Sequence, residues 1–455
     1  MHNSNKLIHL IAIAGISSFG FSAMAQEQKM QYFRPNNENG INVFETTKND
    51  TAVFKHLKVK VGGNFEQSFQ GLRDQNTAMP VTQAPYVGNV NSLVPLTSGF
   101  DLAMANLNVD AQLYDGIRVN ITVYLASRHH EDAWVKGGYI QFDKLTFLNS
   151  EFVNNIMKSI TIKVGQFDVD YGDQHFRRSD GGNTIYNPFI ENYIMDEFAT
   201  EIGGEVYYHT NCGFFAMGGV TNGELDPTVL SASKIDSATG RSNYYAPAFH
   251  GKIGYDKQLS RAFRLRATGS FYTDRSANSN TLFGGDRTGS HYFDVMSSQS
   301  IANGTTLNDA NDYNAFSGRY NPGFSEQVNA FMGNLFLKCY GLEFFGTYEL
   351  AQGRTITERN LRQATQYAGD LIYRFPTAKE NFWVGIRYNS VTAAVLGLPA
   401  DITINREAAS VGWFATKNIM LKVEYVIQNY LNFPTANILN GGKFDGYMVE
   451  ASIGF

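Results

Sequence analysis

What the chain lacks narrows its class before any motif does. Beyond residue 25 no stretch approaches the roughly 20 consecutive apolar residues that a membrane-crossing helix needs, so helical insertion of the body of the chain is excluded. Cysteine is nearly absent, and Cys212 and Cys339 are too few for a disulfide framework. The formal net charge of -5 shows no basic excess, which gives no reason to expect a nucleic-acid partner. No period of about 20 to 50 residues recurs, which excludes solenoids. The 9 histidines are scattered and none sits in a nucleophile motif. No enzymatic activity and no cofactor are therefore expected.

What is present points to strands. With 25 Tyr, 34 Phe and 43 Gly against only 11 Pro, the composition suits many short strands bearing aromatic belts. The mean hydropathy is slightly polar, as expected where every second strand residue faces water. At the N-terminus Lys6 precedes an apolar run from Leu7 to Phe21 and the small-x-small site Ala23-Met24-Ala25. Residues 1–25 read as a cleaved secretory signal peptide. No Cys follows the site, so a lipid anchor is not expected. Residues 26–54 are polar and turn-rich, an extension for which both the periplasmic mouth and the lumen stay open.

From residue 55 to 455 the pattern has period two. Its clearest hairpin runs Leu107, Val109, Ala111 and Leu113 into Asp115-Gly116, then out through Ile117, Val119, Ile121, Val123 and Leu125. Asp-Gly tolerates the positive φ angles of a two-residue turn. Arg118, Asn120, Thr122 and Tyr124 occupy the other face of the outgoing strand. So long an apolar face is untenable against water, but it costs nothing against lipid. Continued along the chain, the alternation predicts an all-β fold, an antiparallel transmembrane β-barrel of sixteen strands. They lie at about 55–70, 100–114, 117–128, 133–143, 160–168, 199–209, 212–222, 248–256, 261–273, 325–340, 342–352, 364–375, 382–390, 405–415, 419–429 and 444–455. Those starting at 133, 212 and 405 are weakly patterned, which leaves fourteen or eighteen open. Connectors alternate short and long, as in outer-membrane barrels, where short turns are periplasmic and long loops external. The link 144–159 is the exception, and a helical turn is expected there. An even strand count puts both termini on the periplasmic side.

The last strand, Phe444 to Phe455, alternates to its final residue and looks like the insertion signal of bacterial outer-membrane barrels. Together with the signal peptide, Val164-Gly165-Gln166-Phe167 closing one strand and Glu201-Ile202-Gly203-Gly204-Glu205 opening the next, it makes the chain resemble the porins. The kind it is most similar to is sixteen-stranded, related to the phosphate-selective porins common in Bacteroidota. That resemblance implies an outer-membrane location among lipid and lipopolysaccharide, passive diffusion of small polar or charged solutes through a water-filled channel, and a homotrimer. It also implies that the loop after the fifth strand, residues 168–198, folds inward as a constriction.

The register places Lys58, Lys60, Arg118, Lys163, Lys252, Arg264, Arg266, Arg374 and Arg387 on the pore wall, with Glu201 and Glu205 among the fewer acids there, so the wall reads as modestly basic. Charges on the lipid face near the midplane would cost about 2 to 4 kcal/mol each. The constriction loop is acidic instead: Asp170, Asp173, Asp180, Glu191, Asp196 and Glu197 stand against Arg177 and Arg178. An acidic loop against a basic wall predicts a transverse field across the eyelet, a device that selects small polar solutes. Glu201 and Glu205 argue against strong anion selectivity, so phosphate is not named as the solute. Tyr124, Phe167, Tyr207, Tyr272, Phe345 and Trp383 also fall on the lumen face, where they line a track or pack against the loop.

Two other readings stay open, a substrate-specific channel and a receptor or adhesin whose loop 274–324 displays Asn, Gly, Ser and aromatic side chains; a barrel enzyme ranks below both. His129-His130-Glu131-Asp132 is the one dense group of metal-ligand residue types. Neighbours in an extended chain point apart, so it reads as a polar turn and no metal is expected.

Overall fold

The computed structural model describes residues 29–125, 133–225, 245–304 and 314–455. The expected signal peptide, residues 1–25, and the group His129 to Asp132 lie outside these residues. Sixteen long strands form one closed antiparallel sheet: β1 (Lys58–Gln75), β2 (Met104–Tyr114), β3 (Ile117–Leu125), β4 (Ala133–Phe142), β5 (Ile160–Asp168), β6 (Thr200–His209), β7 (Phe214–Thr221) and β8 (Ala248–Gln258) in the first half. The second half holds β9 (Phe263–Asp274), β10 (Gln327–Cys339), β11 (Leu342–Arg354), β12 (Arg362–Phe375), β13 (Phe382–Ala393), β14 (Ile402–Thr416), β15 (Ile419–Leu431) and β16 (Lys443–Gly454). A two-residue ladder at Gly99–Phe100 extends the β2 side of β1 and adds no crossing.

The sheet closes where β1 pairs with β16 from Asn64 opposite Gly454 to Gln75 opposite Lys443. Closure leaves no unpaired edge, which is the condition for a sheet to stand in hydrocarbon. Phe455 extends the seam by exchanging backbone hydrogen bonds with Gly63. The connector 143–159 does hold a helix, α1 (Glu151–Met157), capped by Ser150.

Alternation sorts the side chains onto two faces. Val61, Ile253, Phe331, Ile386, Val411 and Tyr425 stand outward and exposed. Near the short-turn rim Tyr373, Phe375, Phe382 and Trp413 stack in sequence with centroids 5.8 to 5.9 Å apart, an outward aromatic girdle.

The lumen is divided. Against β9–β16 and β1 it is solid: Ile185, Phe189, Ile190, Ile194 and Met195 from the segment after β5, with Leu282, Tyr292, Val295 and Met296 from the loop after β9, pack on Trp383, Met420, Phe444 and Met448 of the wall. Among the described residues of loop 275–326, Phe283 and Tyr292 therefore turn into the barrel. Phe283 and Tyr292 are buried, which corrects the expectation that this loop displays them. Against β2–β8 the packing opens into cavities, and there the candidate site lies.

Candidate functional site

The segment between β5 and β6, residues 169–199, folds into the lumen and is held there by the wall's cations. Arg266 clasps Asp173 with two hydrogen bonds of 2.7 and 2.8 Å, and Lys252 contacts Asp170. Arg387, Arg406 and Lys422 donate to the carbonyls of Glu191, Asn192 and Phe189 at 2.8, 2.6 and 2.7 Å. In the other direction, Asn389 and Gln366 accept from the backbone of Ile194 and Met195. Gly182 lets this segment meet the β1–β2 backbone: a Cβ there would lie 2.7 Å from Ala105 Cα and from the Asn64 carbonyl.

The acidic segment and the basic wall thus meet in contact, and the expected field across open water closes into ion pairs. A carboxylate buried in a medium of low dielectric is tolerable only when paired and hydrogen-bonded. Lys252, Arg374 and Arg387, read as pore-lining, are covered instead: Lys252 by Asp170 and by Glu45 at 3.2 Å, Arg374 by Glu343 at 3.0 Å and Arg387 by Asp370 at 2.7 Å. Glu201 is likewise covered and accepts from Tyr272 at 2.7 Å. Glu205 receives Lys163 at 3.3 Å, His250 at 3.0 Å and the Asp170 backbone. Within the segment Arg178 pairs with Asp196 at 2.5 Å, Arg177 approaches Glu343 at 3.6 Å, and Glu191 holds Arg319 at 3.0 Å. Lys58 and Lys60 face inward at the short-turn rim, where they meet the Lys29 carbonyl at 2.8 Å and the Phe33 ring at 4.9 Å.

Titration follows these contacts. Burial pushes Asp173 up, yet Arg266 and Lys252 outweigh it and hold the carboxyl down at about 2. Glu191 is likewise buried and brought down to about 2, chiefly by Arg319. Burial lifts Asp180 to about 6, with the charges of Asp286 and Asp168 adding and Lys136 and Arg178 opposing. Glu197 is raised by burial and by the neighbouring Glu349.

Four cavities follow one another along the β2–β8 side. The outermost, about 610 Å³, lies among Trp134, Phe198, Phe283 and Phe316 at the long-loop rim. Next comes a polar cavity of about 220 Å³ bordered by Asn108, Asn120, Gln166 and Asp168, then one of about 150 Å³ by Gln141, Thr161 and Lys163. The last, about 400 Å³, opens between the turns at Asn211 and Gln258 beside Arg264 and Arg266.

Two side-chain septa interrupt this track. At the outer one Lys136, beneath the Phe198 ring at 4.9 Å, pairs with Asp180. Lys136 is the extra residue of a β-bulge, since Thr122 lies opposite Gly137 while Val123 lies opposite Val135. The bulge turns its side chain into the lumen. At the inner septum Arg34, Arg118 and Tyr139 border both the 220 and 150 Å³ cavities. Arg118 pairs with Asp110 at 3.0 Å, and Arg34 lies on the Tyr186 ring at 3.7 Å. The extension thus lies within the barrel: Gln31 meets Gln112 and the Gly116 backbone, Asn42 meets Glu343 at 2.6 Å, and Glu45 meets Arg266 at 2.7 Å.

Sequence reasoning missed Lys136 and Arg34. Lys136 hides in the broken alternation of β4, while Arg34 is a lone cation among Phe33, Pro35 and Asn36 in a segment without period.

Among the described residues one group has ligating atoms within 4.8 Å of one another, Glu66, His291 and Glu450. Lys422 already places its ammonium 3.0 Å from Glu450.

No family model matches the sequence, and no curated protein matches it either. Solved structures do. The anion-selective porin from Comamonas acidovorans aligns with a TM-score of 0.51 at 9% identity, covering 88% of this chain and 100% of that one. The shared fold is the closed antiparallel barrel of outer-membrane proteins. The outer membrane channel DcaP of Acinetobacter baumannii aligns with a TM-score of 0.48 at 12% identity over 88% of this chain and 98% of its own. In-vitro folded OmpT, an outer membrane protein of Vibrio cholerae, aligns at 0.47 and 10% identity over 89% and 99%.

Proposed function

We propose that this protein is an outer-membrane channel for small polar solutes, exported by its signal peptide and inserted with short turns and both termini periplasmic. The observation that carries this reading is the file of four cavities along the β2–β8 side, the outermost largely apolar and the inner ones bordered by polar and charged groups, with side chains at Lys136 and at Arg34 standing between neighbouring cavities. Backbone blocks most of the lumen, but side chains can turn aside on fast timescales.

A track this narrow favours a selective channel over a wide sieve. Its midpoint is lined by both signs of charge, Arg118 and Lys136 with Asp110 and Asp180, so recognition by paired polar contacts is the mode it suits. The Bacteroidota porin kinship and the trimer implied by the resemblance belong to this proposal too. Cross-linking of the protein in outer-membrane-like bilayers tests the trimer.

The decisive experiment is single-channel recording of the folded protein in a planar bilayer under a salt gradient. Small, stable steps with weak ion preference are expected. Silence from well-folded protein would reject the channel.

A further inference from the structure

The charges around the 220 Å³ cavity cancel in pairs except for two. Arg118 is taken by Asp110 at 3.0 Å, and Lys136 by Asp180. Arg34 remains: its Nε and Nη2 donate to the carbonyls of Gly40 and Phe176 at 3.0 and 2.7 Å, and no carboxylate pairs with it among the described residues. Asp168 remains as well. It ends β5 and borders the same cavity half-buried; Lys136 and Lys163 lie within electrostatic reach, but neither makes an ion-pair contact or hydrogen bond with its carboxylate among the described residues.

These two leftovers sit toward opposite ends. Arg34 belongs to the inner septum, shared with the next cavity toward the short turns. Asp168 lies toward the long loops, at the outer end of its strand and next to the inward segment. The guanidinium is preorganised, since the Tyr186 face lies 3.7 Å away and two carbonyls fix its plane. A fixed fork of this kind suits a carboxylate. Between the two charges Asn108, Asn120, Thr122 and Gln166 offer neutral hydrogen-bonding groups. The space is many times the ~10 to 15 Å³ that one water centre needs, so a molecule of several heavy atoms fits.

We propose that this cavity binds a small zwitterion of the α-amino-acid class, its carboxylate on Arg34 and its ammonium on Asp168. The proposal deepens the channel reading by naming the solute class. A zwitterion satisfies both orphan charges at once and leaves the site neutral. A simple anion or cation would leave one of them uncompensated. The inner septum would then open along a path set by the solute, because the group that recognises it is also the group that closes the way.

The test is calorimetric titration of the full folded chain in detergent with four solutes of one shape: L-alanine, lactate, L-alaninamide and lactamide. Saturable binding of L-alanine is expected, at least tenfold tighter than any of the other three. Arg34→Gln should lower alanine affinity to the alaninamide level, and Asp168→Asn to the lactate level. Arg34→Lys, which keeps the charge and packs against Tyr186, should restore part of it. Equal binding of the four solutes, or alanine affinity unchanged in both Arg34→Gln and Asp168→Asn, would overturn the site. Bilayer recording of the same samples separates the two claims: a silent protein that still binds alanine through Arg34 loses the channel and keeps the site, and a conducting one that does not bind loses the site alone.

Discussion

Arg266 shows at the scale of one residue what the wall's cations do. It is 1% exposed, clasps Asp173 and reaches Glu45 at 2.7 Å, so a single side chain joins the wall, the inward segment and the extension. Removing one partner of such a cluster leaves buried carboxylates uncompensated, typically at about 3 to 5 kcal/mol. Arg266→Met should therefore destabilise by about that amount, read from urea unfolding of the folded protein in lipid. Adding Asp173→Leu should recover part of the loss, because the orphaned charge goes with it. The pH dependence follows from the same pairs. Asp173 and Glu191 have pKa values lowered to about 2 from ordinary values of 3.8 and 4.5. Their stabilisation is fully present above the ordinary values and is lost as pH falls toward 2. Channel conductance should rise over that window as the inward segment loosens, with recordings taken at stepped pH. A conductance flat from neutral pH down to 2 would mean that these carboxylates do not hold the closed path.

Among the elements, two segments narrow the track, and each can be tested alone. Deleting residues 29–54 removes Arg34, Phe44 and Glu45 from the inner cavities. Conductance should then increase severalfold in single-channel steps. Gly182→Val acts on the other segment, since its added carbons meet the backbone of β1 and β2 and cannot be accommodated while the segment stays docked. Larger and noisier steps than wild type are expected from it. Strands were the legible elements: β5 is read from sequence at 160–168 and found at Ile160–Asp168, because lipid on one side and lumen on the other impose period two. β4 read weakly because the bulge at Lys136 breaks that period. The interior was less legible. A lumen-facing Arg387 has the same sequence signature whether it touches water or clasps Asp370, since partner choice depends on segments distant in the chain. For that reason the acid-against-base layout was visible in the residues and the direct contact was not.

For the molecule as a whole, stability lies in closure of the sheet as much as in the packed half of the lumen. Val449 faces outward opposite Phe69 on one side and Val423 on the other, so its ladder carries backbone bonds with little packing. Val449→Pro should open the β1–β16 seam. In denaturing gels the unboiled wild type is expected to migrate apart from the boiled sample, and the variant should lose that difference. Outward apolar side chains and the aromatic girdle were legible in composition. The lopsided filling of the lumen was not, because buried Ile185 and Ile194 lie in a stretch without period that reads as an ordinary loop.

The two septa stand one behind the other, so the track behaves as resistors in series. Widening at Lys136 alone can lower the total only until the resistance at Arg34 dominates, and widening at Arg34 meets the same limit from the other side. Current through the channel is therefore set by the sum of the two resistances, and substitutions at both places should raise it by more than the sum of their separate effects. A single narrow gate would show no such synergy.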